Sequence, residues 1–544
     1  MALVGEDGIM KQPDGFSIVL TASETEISDY KNNPFIAFTG SFSHGMPLWT
    51  SRTLLFPPPS VNDNRSNLAP YGLRKIEASL LDAGEEVITV IPDDLNKVIG
   101  PNTKVVGISS MDPLGLAYVS FTYSTFLGWG ELPENLHAFQ KIFQTSALKK
   151  YKPKIIVGGA GSWQIGPKAR KILGIDTVIL GEAEEIAVEI FRKAVNGEPL
   201  PETIKARRST PLEKIPTIKK AAVHGIVEIS RGCGRNCQFC APTMRIRRDI
   251  PLDKIIEEVR VNVSNGNGLI TLATEDLFLY KYAHGSQFHP NALAVCDLMK
   301  NIVSVPGVEA VQPAHISLAP AVVEPEMVSG LTEIMQDYCR YHYKGNPIIT
   351  AETGIETGST RLIGKYMRGK CLPYPPEQWH EIVLEAYGIL NDNNWTPLST
   401  IIIGLPEEQE SDVIETLNLV DEIFDYQTFL VPNLFANLKE CILHNKRRAN
   451  FDAVSEAQVE LFQRCWEYNL YRWRDDWLGT NKTPTGFLVN LATNLIFHGA
   501  LLIYYRWGKG NLAKIRRELM YKILRKKPIE KVRTAFKAVS SALK

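Results

Sequence analysis

The sequence predicts an α/β protein with a doubly wound parallel sheet at the N-terminus, six further βα units in the middle, and a mainly helical C-terminal region. Three observations carry this. Up to about residue 200, short β-rich runs alternate with helically spaced segments and end in glycine-rich turns. From His224 an apolar run, a polar turn and a helical stretch follow one another six times. Beyond Leu438, aromatic and apolar residues recur at helical spacing. The 544 residues are 44% hydrophobic and 22% charged with no formal net charge, an ordinary globular composition with room for several domains. Neutrality removes any global argument for nucleic acid.

The first region spans residues 1–200. Phe16–Leu20, Phe35–Thr39, Glu86–Ile91, Lys104–Ser109, Lys154–Gly158 and Thr177–Leu180 read as strands, and Tyr71–Ala83 and Glu184–Asn196 as helices. Gly84 closes the first helix as a C-cap would. A doubly wound sheet binds its ligand at the carboxyl ends of its strands. Those ends hold Ser109-Ser110-Met111-Asp112-Pro113-Leu114-Gly115, Gly158-Gly159-Ala160-Gly161, and Gly181-Glu182, turns that let backbone approach a ligand closely. Residues 201–223, with Pro201, Pro211 and Pro216, read as a linker.

The six units occupy residues 224–440, with β-type runs at Gly225–Ser230, Gly268–Thr274, Val308–Leu318, Pro347–Glu352, Leu398–Leu405 and Thr428–Phe435. Chemistry in such barrels gathers at the strands' C-terminal ends. The first run leads into Cys233, Cys237 and Cys240, with three and then two residues between them. Thiolates at this spacing select an iron–sulfur cluster or zinc. A structural zinc closes with a fourth Cys or His, and none follows before His284. The second run ends in Thr274-Glu275-Asp276, acids that need either a positive partner or a helix to cap. Arg245, Arg247 and Arg248 could meet acidic groups of a ligand or form a solvated turn, and His315 faces the cavity or packs in the core.

With its aromatic before the last Cys, the loop Gly232–Pro242 resembles the CxxxCxΦC loop of radical S-adenosylmethionine (SAM) enzymes. That resemblance implies a [4Fe-4S] cluster on Cys233, Cys237 and Cys240 with SAM on the open iron, and Phe239 near adenine. It also implies SAM contacts from Glu275, from Glu356 or Ser359 in the GIETGS stretch, and from Ile403 and Gly404 in IIIGLPEE, where Glu407 stands at a position that often holds Gly. The upstream strand ends resemble the flavodoxin-like, Rossmann-type cobalamin-binding domain of cobalamin-dependent radical SAM methyltransferases. It implies that Ser109–Gly115, Gly158, Gly159, Gly161, Gly181 and Glu182 line a cobalamin site, with loop Met111–Gly115 beneath the corrin. No DxHxxG motif supplies a histidine below cobalt, and His44 reads as a loop or core residue.

Residues 441–544 form the third region. Glu460–Trp477, rich in Trp and Tyr, reads as a packed helix. Phe487–Tyr505 is apolar but interrupted by Asn490, Thr493, Asn494 and His498, poor for a spanning helix, and residues 506–544 carry 13 Lys and Arg against two Glu. That tail suits peripheral membrane contact, an acidic partner or a solvated face. Isolated cysteines and a start without a basic and then apolar segment predict a reducing, cytoplasmic setting.

The family resemblance implies methyl transfer from methylcobalamin to an unactivated carbon, with an external one-electron donor. General likeness to archaeal enzymes that methylate a glutamine α-carbon of the methyl-coenzyme M reductase alpha subunit implies a protein or peptide substrate. Lipid modification and a non-catalytic cobalamin or redox sensor are the alternatives.

Overall fold

A computed structural model describes residues 14–473 apart from 35, 42–47, 127–131, 284, 286 and 450–453. Two α/β layers dominate it. The N-terminal sheet has six parallel strands: β1 (Ile18–Ala22), β2 (Val87–Thr89), β3 (Val105–Ser109), β4 (Lys154–Gly158), β5 (Thr177–Leu180) and β6 (Thr203–Lys205). Their order is β2-β1-β3-β4-β5-β6, so the topology reverses between β1 and β3. Near-continuous apolar strands follow from burial on both faces, which carry separate cores around Val19, Val106 and Val157 and around Leu20, Val105 and Ile156. Of the run Phe35–Thr39, expected as a strand, Phe35 lies outside the described residues and the rest falls in a 3-10 segment over Ile36–Ser41, which belongs to no sheet among the described residues. The expected linker contributes β6, whose Thr203–Lys205 extends the sheet beside Val178–Leu180.

The second layer is a partial barrel of β7 (Ile226–Glu228), β8 (Leu269–Ala273), β9 (Ala310–Pro313), β10 (Asn346–Glu356), β11 (Trp395–Ile403) and β12 (Phe429–Leu434). β7-β8-β9 and β10-β11-β12 are parallel ladders, and a parallel bridge between His315 and Glu352 joins them. All six expected runs are therefore strands.

An open barrel leaves an edge that must be covered. Asn469 in the helix Glu456–Trp473 accepts from the Leu430 amide at 2.8 Å and donates to the Leu430 carbonyl at 2.7 Å, standing in for a neighbouring strand along β12. The helix Tyr118–Phe126, which belongs to the N-terminal domain, takes the rest. Thr122 Oγ1 accepts from the Leu434 amide at 2.8 Å, and the Tyr123 hydroxyl donates to the Pro432 carbonyl at 3.2 Å. Residues 474–544, including the apolar stretch and the basic tail, lie outside the described residues. No described helix is long and apolar enough to cross a membrane.

A buried ion pair welds the two domains. Lys75, in the helix Tyr71–Asp82, meets Glu258 in the helix Leu252–Ser264, and both side chains are at most 5% exposed. Glu258 also accepts from the Tyr71 hydroxyl at 2.6 Å and the Ile218 amide at 3.1 Å, while Lys75 donates to the Pro216 carbonyl at 2.6 Å. Removing one partner of such a pair strands the other in a low dielectric. Glu258→Gln is therefore expected to lower stability in urea unfolding by about 3 kcal/mol. A loss below about 1 kcal/mol would show that the domains are held by other contacts.

Candidate functional site

The cysteine loop is pinned at both ends, because Ser230–Arg231 pairs antiparallel with Arg248–Asp249. Between these ends, Cys233, Cys237, Phe239 and Cys240 line a cavity of about 180 Å³ at the C-terminal ends of β8 to β11. Glu275, His315, Glu352, Thr353, Glu356 and Lys370 complete much of its wall. Among the described residues no three His, Cys, Asp or Glu side chains converge on a single-ion site. A lone zinc needs its sulfurs within about 2.3 Å of one point. Thiols along a cavity wall fit a larger centre that brings its own sulfide. Among the described residues Thr353 Oγ1 is buried there without a hydrogen-bond partner, as a group reserved for a ligand would be.

Each acid near the mouth has a different assignment. Asp276, fully buried, accepts from Arg235 at 3.0 Å and from the Ser317 amide at 3.2 Å, which resolves its burial with a barrel-mouth arginine. Glu275 makes no hydrogen bond or ion pair among the described residues. Glu356 stands at a register shift between β10 and β11 with φ +64°, a conformation an L-residue adopts only when its surroundings impose it. Lys370 at 3.0 Å and Thr400 Oγ1 at 3.2 Å hold its carboxylate toward the cavity. His315 bonds through Nε2 to Glu352 at 3.0 Å and through Nδ1 to the Thr274 carbonyl at 3.1 Å. Both partners are acceptors, so both ring nitrogens carry hydrogen.

A second cavity, of about 520 Å³, lies between the domains. Ser109, Met111, Gly158, Gly159, Gly181 and Glu182 line it from the sheet, and Ser230, Arg231, Thr243, Met244, Thr274 and Glu275 from the barrel. A side chain at Gly158 would meet nothing closer than Ile179 Cβ at 4.0 Å, so the strand end offers bare backbone to this space. Such a cradle fits a large planar ligand at the strand ends. Arg231 bridges the rim, with Glu228 at 2.8 Å, Glu184 at 2.6 Å and Glu182 at 3.1 Å, and Arg248 reaches Glu182 at 2.5 Å. Burial alone would raise the Glu182 carboxyl, but Arg248, the Thr210 amide and Arg231 outweigh it and hold it below the usual range.

Several expected contacts serve the frame instead. Ser110, Asp112, Pro113, Leu114 and Gly115 do not line the cavity. Ser110 Oγ donates to Glu26 at 2.7 Å, and Asp112 Oδ1 accepts from the amides of Leu116 and Ala117 and from Gln164, which knits the loop so that Met111 faces the space. Gly161 is required for close packing, since a Cβ there would lie 2.2 Å from the Met111 carbonyl oxygen. Ser359 is fully buried, donates to Asp412 at 2.5 Å and caps the helix Thr360–Tyr366 by accepting from the Leu362 amide at 3.3 Å. Ile403 and Gly404 do not line the cysteine cavity, and Ile403 is buried in the core. Glu407 takes φ +60°, the conformation of a Gly at that turn. Arg247 pairs with Asp249 at 2.9 Å, and Arg248 serves the rim. His44 lies outside the described residues.

Other residues escape a linear reading. Glu26 Oε1 accepts from Ser110, from the Met111 amide at 3.0 Å and from the Asp112 amide at 3.4 Å, and burial pushes its carboxyl up to about 7. Nothing near Glu26 in the chain signals this. The Tyr118 hydroxyl donates to the Phe239 carbonyl at 2.7 Å, joining a residue of the inter-domain cavity to one of the cysteine cavity. Arg235, inside the cysteine loop itself, was the most legible of the missed residues.

Comparison with known proteins agrees with this geometry. Residues 227–420 match the family model described as the radical SAM superfamily. The chain is 24% identical to the tRNA-2-methylthio-N(6)-dimethylallyladenosine synthase of Syntrophomonas wolfei over 59% of its own length and 70% of that protein. It is 25% identical to a probable threonylcarbamoyladenosine tRNA methylthiotransferase of Methanothermobacter thermautotrophicus over 50% of its length and 59% of the relative's. Among solved structures, the radical SAM methyltransferase TsrM of Kitasatospora setae, bound to tryptophan and a SAM analogue, shares the fold at TM-score 0.51 and 12% identity, over 77% of this chain and 73% of that one.

The His315 pair sets a pH dependence. Burial would lower the imidazole, but Glu352, Glu275 and the Thr274 carbonyl push its pKa up to about 9 from 6.5. A raised folded-state value contributes stability that is fully present below pH 6.5 and lost as pH rises to about 9. Because the ring is 38% exposed to the cavity, screening reduces the effect to about 1 kcal/mol. Glu352→Gln is expected to flatten urea-measured stability across that window. A slope equal to wild type would show that Glu352 does not hold the charge.

Proposed function

We propose that this chain, whose residues 227–420 form a radical SAM domain, is a cobalamin-dependent radical SAM C-methyltransferase. One observation carries the reading: Glu275 belongs to the walls of both cavities, so the end of β8 is where the contents of the two would meet. Cys233, Cys237 and Cys240 would hold the [4Fe-4S] cluster, and the Gly158–Gly159 and Met111 strand ends would hold cobalamin. When bound, these groups and SAM supply a 5′-deoxyadenosyl radical that abstracts hydrogen and a methyl group that replaces it.

The protein's own contribution is placement. Glu356, fixed by Lys370, and the unpaired Glu275 offer carboxylates to ammonium or N–H groups. Arg235, paired with Asp276, ties the cysteine loop to the end of β8. The Lys75–Glu258 weld and the Arg231 rim hold the two walls of the inter-domain space in one arrangement.

A peptide substrate, with a glutamine α-carbon of methyl-coenzyme M reductase as the instance, suits the sequence likeness. Methylthio transfer to RNA is the second reading, favoured by the tRNA-modifying relatives. Mass spectrometry of the product separates them, because only the second adds sulfur. A lipid substrate rests on residues 487–544, outside the described structure.

Protein reconstituted anaerobically and reduced with dithionite is expected to form 5′-deoxyadenosine and S-adenosylhomocysteine in equal amounts per methylated product. SAM cleavage without S-adenosylhomocysteine formation excludes methyl transfer. Cys240→Ala is expected to lose cluster iron and its visible absorption together with deoxyadenosine formation, while retaining the far-ultraviolet circular dichroism of the fold.

A further inference from the structure

Arg235 is the only charged residue between Gly232 and Pro242, and it lines the same cavity as Cys233, Cys237 and Cys240. Its side chain is 4% exposed. A guanidinium out of water needs its donors matched and its face covered. Nη2 donates to Asp276 at 3.0 Å and Nη1 to the Gly369 carbonyl at 2.7 Å, while Nε has no partner among the described residues. The face is covered by Phe288, whose ring centre lies 4.8 Å from the guanidinium carbon. Tyr282 stacks on that ring at 5.5 Å, 26° from parallel.

The backbone is bent against its preference to place this ring. Gln287 and Phe288 take φ +52° and +65°, and Lys281 takes +50°, left-handed conformations that a bulky L-residue adopts only when its surroundings impose them. Asn291, the N-cap of the helix Ala292–Val303, donates to the Lys281 carbonyl at 3.1 Å and ties that residue to the helix start. The ring then rests against the cysteine loop itself, since a Cβ on Gly234 would lie 3.6 Å from Phe288 Cε1. Phe288 thus touches both the backbone next to Cys233 and the one charge of the loop. It keeps water from a face of that cation, and a cation shielded from water acts on its neighbours through a lower effective dielectric.

We propose that Phe288 is a positioning residue that holds Arg235 fixed and dry against the cysteine loop, so that the guanidinium stabilises the added electron of a reduced cluster there. The inference rests on reading Cys233, Cys237 and Cys240 as a cluster site. An aromatic face attracts a cation most strongly when both are desolvated. A planar guanidinium can stack on the ring while its edge bonds to Asp276 and Gly369, which the ammonium of a lysine cannot do.

The test uses the full chain reconstituted anaerobically with its cluster and poised with dithionite through mediator dyes, which deliver one electron per cluster. Electron paramagnetic resonance counts the reduced fraction. At one fixed potential, Phe288→Ala is expected to raise the oxidised-to-reduced ratio about threefold. Phe288→Tyr, which keeps the aromatic face, is expected to match wild type. Arg235→Lys keeps a charge beside Asp276 but loses the stack, so it should raise the ratio as well, and adding Phe288→Ala to it should change nothing more. If Phe288→Ala holds too little iron to measure, Phe288→Leu, which fills the space without a π face, should give a smaller rise. A ratio equal to wild type in the measured Phe288 variant, a shift toward the reduced form, or additive shifts in the double variant would each overturn the proposal. Failure of wild type to assemble a cluster would count instead against the proposed function.

Discussion

Charge buried between two α/β layers is the constraint on which the rest of this structure depends. Lys75 and Glu258 lie almost without solvent at the junction of the domains, and each is satisfied by further polar partners. Next to it, across the Tyr71 hydroxyl that also accepts from the Glu228 amide at 3.3 Å, Arg231 gathers Glu182, Glu184 and Glu228. A buried cation with one acid would be a liability, but with its remaining donors matched it fixes a single approach of the two domains. The strand ends of the sheet then face the strand ends of the barrel across a cavity of about 520 Å³. Neither set of strand ends would enclose a ligand alone.

The same logic orders the cysteine cavity. Arg235 with Asp276, Lys370 with Glu356 and His315 with Glu352 each neutralise an acid at the barrel mouth, and among the described residues Glu275, on the wall common to both cavities, makes no hydrogen bond or ion pair. The N-terminal domain also completes the barrel: Thr122 and Tyr123 occupy backbone groups of the edge strand β12. The two domains are therefore one structural unit, since separating them would open an edge strand as well as a cavity.

Legibility followed the range of the interactions. The Lys154–Gly158 strand appears with its sequence-assigned bounds, and the Tyr71 helix ends one residue earlier than read, because periodicity and end signals are local. Phe35–Thr39 was misread because an apolar run becomes a strand only when a neighbour pairs with it. β6 was missed because three residues among prolines carry too little pattern, and only β5 makes them a strand. At the site, the three cysteines, Phe239, Glu275 and Glu356 come together on one cavity wall. Ser359 went to a helix cap and Asp112 to its own loop, because short polar side chains near chain turns bond locally when geometry allows.

By itself, then, the chain determined its element pattern and the cysteine spacing, since both arise between residues a few positions apart. It also carried the resemblance that points to SAM and cobalamin. Tertiary structure alone decided that Glu26 anchors the Met111 loop, that His315 and Glu352 carry a bridge between half-barrels, and that Glu275 stands at the meeting of two cavities. Those outcomes join residues from distant strands and from both domains, and packing in three dimensions, not sequence separation, sets which charges find one another.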